Sequence, residues 1–181
     1  MELILKSQDI SDYLKRTEII DYLHPLVARK ARELSSNTRD EVETARAIYE
    51  FVRDGIPHSE DIRGSHVTCR ASDVLWYKEG TCYAKSHLLA ALMRHNGIPC
   101  GFCYQLLRSE DEASPFVLHG LNAIHLKTLG KWVRLDARGN KPGVNAQFSI
   151  EEEKLAFEVR AAAGEKDYPY VFTEPDLNVV T

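Results

Sequence analysis

Only four cysteines occur in the 181 residues, at positions 69, 82, 100 and 103. They are too few and too irregularly spaced for a disulfide framework, which excludes the small stapled scaffolds of secreted proteins and agrees with a reducing compartment. No apolar run is long enough to cross a bilayer, so neither a membrane-spanning chain nor a membrane partner is expected. Cations are not in excess: Lys and Arg number 23 against 27 Asp and Glu, with a formal net charge of −4 and a pI near 6.0. Binding to a phosphate backbone draws on clustered Lys and Arg, so nucleic acid is not expected as a partner. The first ten residues mix Glu2, Lys6, Gln8 and Asp9 with apolar ones. They lack the apolar stretch and small-residue cleavage site of a signal peptide, which makes the cytoplasm the expected location. There is no internal repeat, no low-complexity tract and no calcium-loop pattern. His58, His66, His87 and His95 show no metal-ligand spacing with nearby acids, so no metal and no cofactor is expected.

What is present is an ordinary globular composition, 44% hydrophobic and 28% charged. The length suits a single domain over 1–181 that buries one core without disulfide staples. Apolar residues recur at helical spacing from Ile10 to about Leu34, which predicts two helices or one interrupted near Pro25. A further helix is predicted after Asn37 or Thr38, either of which can cap, with Val42, Ala45, Ile48, Tyr49 and Val52 on one face and Gly55 and Pro57 as its stop. The N-terminal helices thus occupy about 10–54.

Residues 56–68 read as a long polar loop bordering a cleft. Ser72 can cap a short turn carrying Val74, Leu75 and Trp76. Gly80 then breaks the chain, and the clearest helix of the sequence runs from Cys82 to about Asn96, with Gly97 placed for a left-handed C-terminal cap. After Pro99 the pattern changes to aromatic and β-branched stretches at 101–107, 116–126 and 131–135, which predict strands of an antiparallel sheet. The loop 108–115, with Glu110, Asp111 and Glu112, and the turn 139–143 are polar connections. Glu151 to Phe157 reads as a short helix or strand, and the chain from about 164 to 181 as extended.

Cys82 opens a helix directly after Gly80 and Thr81, near unpaired backbone N–H groups at the positive end of the helix dipole. Such a site lowers a thiol pKa and favours a reactive thiolate, although by position alone a cysteine is more often a small buried apolar residue. A thiolate nucleophile needs a base, and the base needs an orienting acceptor. His119 and Asp136 fit these roles if 117–126 and 132–136 form a hairpin. His125, six residues on and on the same strand face, competes for the base role, and spacing alone leaves both open. Cys100 and Cys103 are a lone C-x-x-C without a second pair. On a strand, an interval of three points them to opposite faces, so they read as core packing rather than a zinc or redox site.

The stretch from Ala71 to Pro99, with Gly80-Thr81-Cys82 and the helix ending Arg94-His95-Asn96-Gly97-Ile98-Pro99, resembles the nucleophile segment of the transglutaminase-like superfamily. His119 followed by a hairpin and Trp132-Val-Arg-Leu-Asp136 is similar to that family's strand histidine and its Trp-x-x-x-Asp. Two features depart from the pattern: Leu121 stands where an aromatic is common, and the connection to Trp132 is slightly long.

The resemblance covers about 45–140. It implies an α+β, papain-like transglutaminase core, with N-terminal helices and the nucleophile-bearing helix packed on an antiparallel sheet. It also implies a catalytic triad of Cys82, His119 as base and Asp136 as orienter. The expected activity is acyl transfer through a thioester on a peptide, protein or small amide or ester substrate. Hydrolysis is favoured over protein crosslinking, because water is the ubiquitous acceptor. The Cys82 backbone N–H would form half of an oxyanion hole. Trp76 could supply the other donor through its indole N–H, against the alternative of a tryptophan buried in the core. The competing class is a non-catalytic peptide- or protein-binding module that keeps the fold. The oligomeric state is not legible.

Overall fold

A helix buried on nearly every side organises the fold. This is α5, Cys82–His95, in which every residue from Tyr83 to Arg94 is buried. The structure is a computed structural model that describes residues 1–109 and 114–176, so the acidic residues Glu110, Asp111 and Glu112 of the polar loop lie outside the described residues. A helix apolar around most of its circumference belongs inside a core, and α5 is enclosed accordingly. Against it pack α1 (Pro25–Ser35), α2 (Glu41–Gly55) and α4 (Ala71–Tyr77), and also the strands β2 (Cys100–Arg108) and β3 (Phe116–Leu126). Its C-terminus closes as the sequence predicts. Gly97 takes φ +72° while Gly97 N–H donates to Arg94 O at 3.1 Å and Ile98 N–H to Met93 O at 3.0 Å, the paired bonds of a Schellman cap.

The sheet has the order β4-β3-β2-β5, where β4 is Lys131–Leu135 and β5 is Lys166–Asp167. All its pairings are antiparallel. Cys100 lies opposite Ile124 and Arg108 opposite Phe116, and Asn122 opposite Leu135. The central strands are covered on both faces. Phe102, Tyr104, Ile124 and Leu126 join the main core with α5, whereas Cys103, Leu121 and Ala123 pack with Tyr13 and Val171 in a second cluster. Cys100 and Cys103 therefore sit in different clusters, both as free thiols. A second, two-stranded parallel sheet joins β1 (Ile4–Leu5) to β6 (Tyr170–Val171) and ties the two ends of the chain together.

Several local expectations are corrected by contacts from elsewhere in the chain. The helical spacing after Ile10 yields only a 3-10 turn at Ile10–Leu14 before α1. Ile20 is fully buried without being helical, its N–H taken by the Thr17 hydroxyl at 3.0 Å. Asp40 rather than Asn37 or Thr38 caps α2, its Oδ1 accepting from Glu43 N–H at 2.8 Å. The polar loop after α2 includes a one-turn helix, α3 (Ser59–Ile62), that ends at Arg63 with φ 53°. Arg70, not Ser72, opens α4. Ser72 instead donates its backbone N–H to Asp21 Oδ1 at 3.1 Å, a cap supplied from a distant segment. Residues 151–157 form neither helix nor strand, because their backbone bonds are made to distant partners: Lys154 O accepts from Gln147 N–H at 2.9 Å and Ala156 N–H donates to Asp136.

Candidate active site

Cys82 reaches its position through a close approach of backbone segments. The chain around His58 runs beside Gly80 as an isolated parallel bridge. Ser59 N–H donates to Gly80 O at 3.1 Å and Gly80 N–H to Pro57 O at 3.3 Å. A Cβ on Gly80 would meet the Ala84 methyl at 3.0 Å and the Thr68 hydroxyl at 3.3 Å, so only glycine fits without displacement. Two residues later Cys82 begins α5, half-buried. Thr81 stands at the N-cap without a side-chain cap bond among the described residues. The first N–H groups of a helix have no partners within it, and here they open toward a cleft.

That cleft has a volume of about 1170 Å³, and His58, Thr81, Cys82, His119, Arg138 and Phe157 are among its walls. His119 comes from β3 and is 4% exposed. It bonds Asp136 Oδ2 through Nε2 at 2.8 Å, shares the cleft with Cys82, and meets the edge of the Phe157 ring at a centroid distance of 5.1 Å. Burial alone would push its pKa down. The Asp136 carboxylate, the hydrogen bond to it and the neighbouring Cys82 outweigh burial and raise it to about 10. Asp136 lies just past β4, fully enclosed. It accepts from His119, from Ala156 N–H at 3.0 Å and from Arg138 N–H at 3.1 Å. Burial acts to raise its pKa, yet the His119 charge and these bonds hold it below the usual carboxylate value.

Of the residues nominated from the sequence, Cys82, His119 and Asp136 are brought together. His125 is not: it packs against Trp132 at 5.4 Å, roughly 20 Å along the strand from His119 at about 3.3 Å per residue. Trp76 is corrected on both readings. It is 68% exposed and lies outside the described lining of the cleft, so it is neither a donor at Cys82 nor a core tryptophan. Helix α4 buries Ala71, Ser72 and Val74, and Trp76 lies about 200° around the helix from Val74, on the solvent side. Of the other histidines, His66 bonds Glu79, His87 bonds Cys69 O and His95 bonds Tyr22 O.

Three further residues shape the site that motif reading missed. Lys85, one turn after Cys82, is fully buried. Its Nζ donates to Arg53 O at 3.2 Å and to Ile56 O, fastening α5 to the C-terminal end of α2. Burial, aided by the Arg138 charge, lowers its pKa to about 7. A lysine one turn into the helix that opens at Cys82 was the available signal. Arg138 grips Asp61 of α3 with two bonds at 2.5 and 2.9 Å. His58 is 6% exposed on the cleft wall, and only its neighbour Pro57 marked the place in the sequence.

A family model described as the transglutaminase-like superfamily matches residues 28–137, more than half of the chain. No curated protein matches it. Among solved structures, a candidate cysteine protease from Cytophaga hutchinsonii superposes with a TM-score of 0.59 at 17% identity, over 73% of this chain and 43% of its own. The periplasmic domain of TgpA from Pseudomonas aeruginosa superposes with a TM-score of 0.51 at 15% identity, over 69% of this chain and 45% of its own. At such identities the likeness shows the fold, α+β of the papain-like transglutaminase-core type, and the chain spans less than half the length of either protein. Among the described residues no helix is long and apolar enough to cross a membrane.

Proposed function

The chain belongs to the transglutaminase-like superfamily, and on that premise we propose that it is a cysteine acyl-transfer enzyme acting on a peptide, protein or small amide or ester. The observation that carries this reading is the buried His119–Asp136 bond at 2.8 Å, formed in the cleft that also holds Cys82. A binding module would have no use for an imidazole oriented by a buried carboxylate beside a helix-opening thiol.

In the proposed reaction the Cys82 thiolate attacks the substrate carbonyl carbon, and the carbonyl electron pair moves to oxygen. Expulsion of the amine or alcohol, protonated by His119, leaves a thioester on Cys82. Asp136 holds Nε2 of His119, so Nδ1 is left to face the sulfur. Water, deprotonated by His119, then cleaves the thioester and regenerates the thiol. We favour hydrolysis over crosslinking because a cleft of this breadth admits water as a constant acceptor. The cytoplasm is kept as the proposed compartment, supported by four thiols that stand as free cysteines.

The test is the pH dependence of Cys82 alkylation by iodoacetamide, read by mass spectrometry in the intact protein and in His119→Ala. The expected result is rapid alkylation of Cys82 in the intact protein that slows in the variant. Ordinary thiol behaviour in both proteins would overturn the acyl-transfer reading in favour of a non-catalytic module.

A further inference from the structure

A buried polar atom without a partner is costly and uncommon, and at a cleft wall the missing partner is most simply a ligand. His58 presents such an atom. The residue is 6% exposed and lines the cleft with Cys82 and His119. Its Nδ1 has no hydrogen-bond partner among the described residues. The nearest acid, Glu60 Oε2, stands at 3.9 Å, beyond hydrogen-bonding distance. The backbone bridge to Gly80, closed by the Ser59–Gly80 and Gly80–Pro57 bonds, sets His58 alongside the segment that delivers Cys82. The Arg138–Asp61 pair anchors the α3 turn that follows it.

We propose that His58 is a catalytic residue that donates an imidazole N–H to the substrate carbonyl oxygen as it takes up negative charge, completing an oxyanion hole with the Cys82 backbone N–H. This assignment rests on the acyl-transfer reading and adds to it the donor that Trp76 does not supply. A neutral imidazole carries one N–H and can play this part without transferring its proton. Burial, together with the nearby Arg138 charge, holds the His58 pKa down at about 4, so the ring is neutral across the working range. The step needs no co-reactant. As the Cys82 sulfur–carbon bond forms, the carbonyl pair settles on oxygen facing His58, and it returns to expel the leaving group.

The probe is p-nitrophenyl acetate, whose acetyl group would pass to Cys82 with release of p-nitrophenolate. Acylation is followed by the burst and by the added acetyl mass on Cys82, in the wild type, His58→Phe and His58→Gln. Alkylation by iodoacetamide, a displacement that develops no oxyanion, is measured on the same three proteins. His58→Phe is expected to lower the acylation rate by about 10²–10³-fold while alkylation stays within about twofold. His58→Gln, which keeps an N–H donor, should recover most of the acylation rate. Acylation undiminished in His58→Phe would overturn the assignment alone. Alkylation falling in step with acylation would also overturn it, by showing that His58 acts through Cys82 or the fold. A glutamine variant as slow as the phenylalanine one would overturn it in favour of proton transfer. A wild-type protein that alkylates at Cys82 but never acylates would overturn the acyl-transfer reading with it.

Discussion

Arg138 and Asp61 clasp each other through two charge-assisted bonds, at 2.5 and 2.9 Å, across the wall of the cleft. The same Arg138 donates its backbone N–H to Asp136. One residue thus joins the carboxylate that orients His119 to the turn that follows His58.

Removing Asp61 leaves a buried guanidinium without its counter-ion. Asp61→Ala is expected to destabilise the fold by about 3 kcal/mol, the low end for a buried pair because Asp61 retains some exposure. It should also lower kcat/KM. Urea denaturation checks the first effect, and an unchanged midpoint would show that solvent compensates for the lost carboxylate.

Among the histidines of β3, only His119 reaches Asp136. His119→Ala should lower acyl transfer by about 10²–10⁴-fold, Cys82→Ala should abolish it, and His125→Ala should leave it within a few fold. Steady-state rates on the ester probe decide, and equal losses in the two histidine variants would refute the choice of base.

Lys85 is a buried amine whose donors satisfy two carbonyls at the end of α2. Lys85→Met keeps the aliphatic volume and removes those donors, which should cost about 1–3 kcal/mol for each carbonyl left unpaired. Thermal and urea unfolding read the loss, and a variant as stable as the wild type would show that water replaces the amine.

The buried histidines set opposite limits on stability. His87 and His58 are held at about 4 by burial, below the ordinary 6.5. The unfolded chain takes up their protons first, so the stability they contribute is present above 6.5 and is lost as pH falls toward 4. His119, raised to about 10, contributes stability below 6.5 that is lost as pH rises toward 10. Above pH 7 that loss is opposed by Lys85, held at about 7 against an ordinary 10.5, so the clear trend lies on the acid side: urea midpoints should fall from pH 6.5 to pH 4.5. His87→Phe should make the acid limb shallower, and an acid limb as steep as in the wild type would count against its role.

Trp76 points to solvent beside Tyr77 on α4. Trp76→Ala should change stability by no more than about 0.5 kcal/mol and leave ester turnover unchanged. A large loss of turnover would place Trp76 at the substrate after all.

Sequence alone carried the elements whose signals are local. The helix opening at Cys82 follows from Gly80, its apolar face and the Gly97 stop, all within one element. The strands at 116–126 and 131–135 follow from their aromatic and β-branched residues, and the Cys82, His119 and Asp136 candidates came with them and with the family resemblance. Tertiary structure decided whatever depended on a partner far along the chain. It capped α4 with Asp21, held residues 151–157 irregular by bonding Ala156 to Asp136, turned Trp76 outward, and set His119 rather than His125 against Asp136. It also buried His58 and Lys85, whose neighbours come from separate segments of the chain. Periodicity and capping act over a few residues, whereas burial and hydrogen-bond pairing at a cleft are set only when separate segments meet.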